Sequence, residues 1–337
     1  HQYRALDEAL AATPAPARPL AEVEVASIWG TRSGVRIGTL EDAEREGAQR
    51  VLFKQGNPEK LLREKDSLQR WAEVAPGLVP EVVEYNHQGG DAALLLQFLD
   101  GASFRDVLLN GEAGVLERAA ARLEATLRRI WERTRLPVKV GGEYVRQLSE
   151  RVDDVFRLHP ALQAEGVVIA GRAVTDLGVL LAGAAEIDAE LKAPFSVFIH
   201  GDFNLDNLIY NARDDKLHFV DVHRSGDMDY VQDVSVFLVS HYRLPVFVPR
   251  VRDVIEGAAG RVLRFARGFA AEAGDETFEA RLGLGLARSL ATSARFELNT
   301  GFARDLFQRA VLLLGGLLSH RGRAWSAYRL PAGILTY

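Results

Sequence analysis

Polar and apolar residues alternate in short runs near the N-terminus and recur every three to four positions over most of the remaining chain. Alternation predicts strands and the longer period predicts amphipathic helices. Val23–Ile28 and Val35–Leu40 read as strands about the turn Gly30-Thr31-Arg32-Ser33-Gly34. Arg50–Gln55 (RVLFKQ) is a third, rich in β-formers. Glu59–Glu73 follows as a helix with Leu61, Leu62, Leu68 and Trp71 at helical spacing. Val82–Asn86 and Ala93–Phe98 then read as a hairpin across His87–Asp91.

From residue 102 the helical period dominates. Val115–Arg133, Tyr144–Leu158 and Arg172–Leu191 are expected helices, as are stretches near 229–242, 247–273, 276–299 and 301–321. Two short apolar strands, Phe195–Ile199 and Leu217–Val220, interrupt them. The expected class is α+β and bilobal. A small β-rich lobe at 21–98 is followed by a hinge at 99–101, a larger helical lobe at 102–321 and a tail at 322–337. Residues 1–20 end in ATPAPARP and read as an extension with an extended linker. Ligand sites favour the junction between such parts.

Composition narrows the options. The 337 residues are 47% hydrophobic and 26% charged, enough apolar material for one large domain or two ordinary ones. The net charge of −5 gives no basic excess, so no nucleic-acid partner is expected. With no cysteine, disulfides, thiolate metal sites and cysteine nucleophiles are excluded, which fits a cytoplasmic location. The longest apolar run, Ala310–Leu318, is too short to span a bilayer, so no membrane association is expected. The chain begins at His1 and its single methionine is Met228, which leaves room for an additional domain in the full-length chain.

Candidate chemistry gathers in Phe198–Tyr210 (FIHGDFNLDNLIY). An apolar strand runs into a loop carrying His200, Asp202 and Asn207, and a second apolar strand ends in Asp221 fourteen residues after Asn207. Asp229-Tyr-Val-Gln-Asp233-Val-Ser235 follows. These stretches resemble the catalytic core of the aminoglycoside phosphotransferase and choline kinase group, which shares the protein-kinase fold. That pattern is H-G-D-x₄-N followed by an apolar-Asp block and D-x₃-D-[LV]-[AS]. The resemblance runs over roughly residues 22–320 and is sharpest at 198–235.

The resemblance implies ATP- and Mg²⁺-dependent transfer of a phosphoryl group to a hydroxyl of a small molecule, with GTP as an alternative donor. Asp202 would be the catalytic carboxylate and His200 would brace its loop. Asn207 and Asp221 would hold Mg²⁺. Asp233 would cap the next helix or brace the loop. A strand lysine and a helix carboxylate should hold the phosphates, and Lys54 and Glu64 fit, with Glu59 as the rival carboxylate. Lys54 could instead be an edge lysine reaching for water. Ser33 in the Gly30–Gly34 turn could touch the β-phosphate, or the turn is an ordinary hairpin. Gln97, Phe98 and Leu99 match the adenine-facing hinge, or a plain core strand.

Arg224, Arg288, Arg295 and Glu297 are the candidates for the acceptor pocket. Facing a cleft, the arginines would favour an anionic or sugar-like acceptor; otherwise they form ion pairs on solvated helix faces. A protein kinase is a weaker fit, because no A-P-E segment follows Asp221. A non-catalytic, kinase-shaped regulatory module and a metal hydrolase using His200, Asp202 and Asp221 are the remaining alternatives.

Overall fold

The computed structural model describes residues 23–30, 36–42, 51–88, 90–164, 168–169, 172–173 and 176–337. Ser33, most of its turn and the Ala/Pro stretch lie outside the described residues. The chain forms two compact units. Among the described residues, one holds those up to Val107 together with Asp206–Gly226, and the other holds those of 108–205 and Asp227–Tyr337. Residues 206–226, read from sequence as part of the helical stretch, thus cluster with the β-rich unit.

The first unit is built on strands β1 (Val23–Gly30), β2 (Arg36–Asp42), β3 (Val51–Gly56), β4 (Val82–Gln88) and β5 (Asp91–Gln97). They form one antiparallel sheet in the order β1-β2-β3-β5-β4. Helix α1 (Pro58–Val74) packs on β3, β4 and β5. Asn57 starts it by accepting from the Lys60 amide at 3.1 Å, and Pro58 suits the first turn, where no amide donor is needed. Its buried stripe is Leu61, Glu64, Leu68 and Trp71, so a carboxylate stands in an otherwise apolar row.

A three-stranded sheet completes this unit. Leu208–Asn211 lies between Lys216–Phe219 and the two-residue strand Ala102–Ser103. The sequence pattern did not mark Leu208–Asn211 as a strand, because its alternation is too short to register. Gly101 makes the close approach possible. A Cβ there would meet the Tyr210 carbonyl oxygen at 2.8 Å, and its φ of 144° suits glycine. The segment that follows is fastened to α1. Phe219 donates its amide to the Leu78 carbonyl at 2.8 Å, and Trp71 sets its ring edge-on to Phe219 at 5.5 Å. The Trp71 indole N–H also donates to the Ser225 hydroxyl at 2.8 Å.

The second unit is mainly helical: α2 (Ala113–Thr134), α3 (Tyr144–Leu158), α4 (Leu177–Glu190), α5 (Val231–Tyr242), α6 (Pro249–Glu272), α7 (Phe278–Ser293) and α8 (Thr300–His320). Helix α7 is the centre. All of its residues except Glu279 and Arg288 are buried, and it packs on α3, α5 and α8. An aromatic cluster fills the space beside it: Trp131 lies 5.0 Å from Tyr230 and from Phe269, and Tyr230 stacks on Phe195 and Phe278.

Two expected helices have different bounds. Arg172–Ala173 pairs with Val168–Ile169 as a small ladder, and the helix expected from Arg172 begins at Leu177. Asp176 sets that start by accepting from the Gly178 and Val179 amides. The helix expected over 276–299 stops at Ser293 and tightens into a 3₁₀ turn, Ala294–Phe296. Asn299 then caps α8 by accepting from the Phe302 amide at 3.0 Å. Among the described residues, no helix is long and apolar enough to cross a membrane.

Candidate active site

In the first unit, β3 and α1 place Lys54 and Glu64 opposite each other. The Lys54 ammonium pairs with the Glu64 carboxylate, and both side chains are almost fully buried, at 6% and 2% exposure. A lone ammonium at that depth would be costly, so the pair explains why a β-strand can bury a lysine. The same ammonium lies 3.5 Å from Asp221 Oδ1. Burial works against the charge on Lys54, but Glu64 and Asp221 outweigh it and raise its pKa above the ordinary value.

Asp221 sits two residues beyond the strand Lys216–Phe219, with φ of 60°, left-handed for a residue other than glycine. That conformation costs an L-residue about 1 kcal/mol, so its surroundings must hold it. His223 lies 3.2 Å away, Nδ1 to Oδ1. Burial raises the Asp221 pKa, but the hydrogen bond from His223 and the charges of Lys54, His223 and Lys60 override it. They hold the carboxyl well below the usual carboxylate range. Asn207 belongs to the same unit and is tied to the segment that carries Asp221, its carbonyl accepting from the Val220 amide at 3.0 Å.

In the second unit, strand Val197–Ile199 feeds a loop whose backbone is gripped from α5. The amides of His200 and Gly201 each donate to the Asp233 carboxylate at 2.8 Å. Gly201 has φ of 84°, which glycine adopts without strain. The Gln232 side-chain amide donates to the Gly201 carbonyl at 3.0 Å. His200 is fully buried and accepts at Nδ1 from the Asp202 amide at 3.3 Å, which places its proton on Nε2. Asp202 receives the Asn204 side-chain amide at 3.3 Å. Burial pushes the Asp233 carboxyl up to about 7, against the two backbone donors and Arg288 that favour its charged form.

Behind this loop lies a buried ionic group. Arg281 on α7 pairs with both Asp229 and Asp275. The Tyr144 hydroxyl donates to Asp229 at 3.1 Å and the Tyr230 hydroxyl to Asp275 at 2.7 Å. Asp229 also accepts from the Val231 amide at 3.0 Å and so starts α5.

The structure therefore brings Lys54, Glu64, Asn207 and Asp221 into one unit, and His200 and Asp202 into one braced loop of the other. Glu59, the alternative to Glu64, is exposed. Gln97 accepts from the Glu81 amide at 3.3 Å through its side chain and donates its own amide to the Glu81 carbonyl at 2.9 Å. Phe98 and Leu99 follow β5 in irregular backbone and are half-buried. The four acceptor candidates are divided between the two units. Arg224 belongs to the first unit and the other three to the second. Arg288 lies over the Tyr144 ring at 5.7 Å. Arg295 lies beyond the end of α7, 3.9 Å from Asp154 and stacked on Phe296 at 4.6 Å. Glu297 accepts from the Asn299 amide at 3.0 Å. Sequence reasoning did not mark Asn204 or Ser225, and noted His223 only as a basic neighbour of Asp221 and a histidine open to the hydrolase alternative.

The donor set at Asn207 and Asp221, one amide oxygen and one carboxylate kept ionised by its neighbours, suits a hard cation such as Mg²⁺.

Residues 42–280 match the model of the phosphotransferase enzyme family, and the chain belongs to that family. It is thus a phosphotransferase with the α+β, protein-kinase-like fold its motifs implied. Among curated proteins, none matches the chain. Solved structures similar to it include an aminoglycoside-3'-phosphotransferase of type VIII, at 23% identity and a TM-score of 0.47, covering 77% of this chain and 92% of that one. An ethanolamine kinase of Plasmodium vivax is 11% identical with a TM-score of 0.49, over 86% of this chain and 82% of that one. A choline kinase of Cryptosporidium parvum is 11% identical with a TM-score of 0.43, over 92% and 94%.

Proposed function

We propose that the chain transfers the γ-phosphate of ATP to a hydroxyl group of a small molecule. The observation that carries this reading is Lys54, a buried ammonium paired with Glu64 and 3.5 Å from Asp221. A cation held this way is preset for phosphate oxygens and costs no reorganisation when the nucleotide arrives. Asn207 and Asp221 would hold Mg²⁺, which neutralises charge on the phosphates. Asp202 would take the proton of the attacking hydroxyl, its carboxylate oriented by Asn204 and its loop fixed by Asp233. The proton leaves the hydroxyl as its oxygen bonds to phosphorus and the bond to the β-phosphate oxygen breaks, releasing ADP. Gln97, Phe98 and Leu99 would meet the base, and Ser33 the β-phosphate.

The acceptor is a sugar, amino alcohol or aminoglycoside-like molecule. A coupled ADP-release assay over such a panel, with ATP and GTP compared, tests the reading. One acceptor class should stimulate turnover, and Asp202→Ala and Asp221→Ala should each lower kcat by at least a thousandfold, the scale of losing a principal catalytic group. Full activity in both variants would sink the assignment.

A further inference from the structure

Three contacts converge on the segment that carries Asp221, and they are unequal. Lys54 reaches Asp221 Oδ1 only at 3.5 Å, because its ammonium is drawn to Glu64. His223 Nδ1 lies nearer the same oxygen, at 3.2 Å, and its side chain is only 13% exposed. Two residues further on, Trp71 of α1 fastens Ser225 at 2.8 Å. An ionised carboxylate can only accept, so the proton on this contact belongs to His223, on Nδ1. The left-handed backbone at Asp221 does not by itself set the rotation of its carboxylate.

We infer that His223 is a positioning residue: it occupies Oδ1 of Asp221 and restricts the carboxylate to one orientation, so that a divalent cation meets a preset donor. The inference rests on the phosphotransfer reading above. Ser225, held by Trp71, fixes the loop end from which the imidazole reaches back. Partners that orient a metal-binding side chain typically contribute ten- to a hundredfold to metal affinity.

The test is Mn²⁺ binding followed by electron paramagnetic resonance with ADP present, at one fixed pH, on the parent, Asp221→Ala, His223→Ala and His223→Asn. Metal-free ADP binding and Tm are measured alongside. The parent should bind Mn²⁺ and Asp221→Ala should not. His223→Ala should bind at least ~10-fold more weakly, with metal-free ADP affinity and Tm unchanged, and His223→Asn, whose amide can still donate, should recover part of the loss. Parent-like Mn²⁺ binding by His223→Ala overturns the positioning role while leaving the phosphotransfer reading intact. An equal fall in metal-free ADP binding or in Tm also overturns it, because the residue would then be structural. A parent that binds no Mn²⁺ overturns both.

Discussion

At the scale of single residues, the Lys54–Glu64 pair has a stability consequence separate from catalysis. Both groups are buried, so removing one strands the other. Lys54→Met should destabilise the protein by about 3–5 kcal/mol, whereas Lys54→Met/Glu64→Leu should recover most of that loss and still be inactive. Urea denaturation of the single and double variants, followed by fluorescence, checks this; equal losses in both would mean that the pair is not coupled. Lys54 was legible because a charge inside RVLFKQ breaks a strand pattern, whereas Glu64 came from the resemblance, with Glu59 as its rival. His223 and Asn204 break no pattern. Their roles come from a loop path that brings residues two apart within hydrogen-bonding distance, and no periodicity reports that path.

At the scale of elements, helix α7 shows where pattern reading stops. Its apolar face was readable, but its burial at every position except Glu279 and Arg288 depends on three helices packing around it. Arg281, in the middle of that helix, is fully buried between Asp229 and Asp275, which no sequence pattern marked. Asp229 in turn starts α5, the helix whose Asp233 grips the His200–Gly201 backbone. Removing the guanidinium leaves two buried carboxylates facing each other. Arg281→Met should therefore cost about 3–5 kcal/mol and lower kcat more than it raises KM, because the loop carrying Asp202 loses its support. Stopped-flow turnover and denaturant melts on one preparation test both halves; a stable variant with parental kcat would detach the ionic group from the loop. By contrast, Asn57→Ala at the start of α1 removes only one cap bond and should cost about 1 kcal/mol.

At the scale of the whole molecule, two buried groups with opposite pKa shifts shape the dependence of stability on pH. His241 is fully buried against Phe237, donates Nδ1–H to the Phe237 carbonyl at 2.9 Å, and is pushed by burial down to about 4. Asp233 is pushed by burial up to about 7. Between roughly pH 4 and 6.5 the unfolded chain carries a proton on the histidine and none on the aspartate, given their ordinary pKa values. The folded chain holds the reverse, a neutral imidazole and a protonated carboxyl. The difference in bound protons from this pair is therefore close to zero, and its net contribution is flat across that window. Separating the two exposes the slopes. In His241→Phe the histidine's contribution is removed and the aspartate's cancels in the difference, so stability relative to the parent should fall as pH rises from about 4 to 6.5. In Asp233→Asn the aspartate's contribution is removed and the histidine's cancels in the difference, so relative stability should fall as pH drops from about 7 to 4, by about 4 kcal/mol in all at 1.36 kcal/mol per pH unit. Denaturant melts of the three proteins at half-unit pH steps measure this directly, and the difference curves cancel every group the variants share. Slopes of opposite sign confirm that the helix carrying Asp233 holds a protonated carboxyl behind the His200–Asp202 loop and a neutral imidazole two turns further on. Parallel curves would mean that both groups titrate in the fold as they do in water, and that Asp233 grips the loop as an ordinary carboxylate.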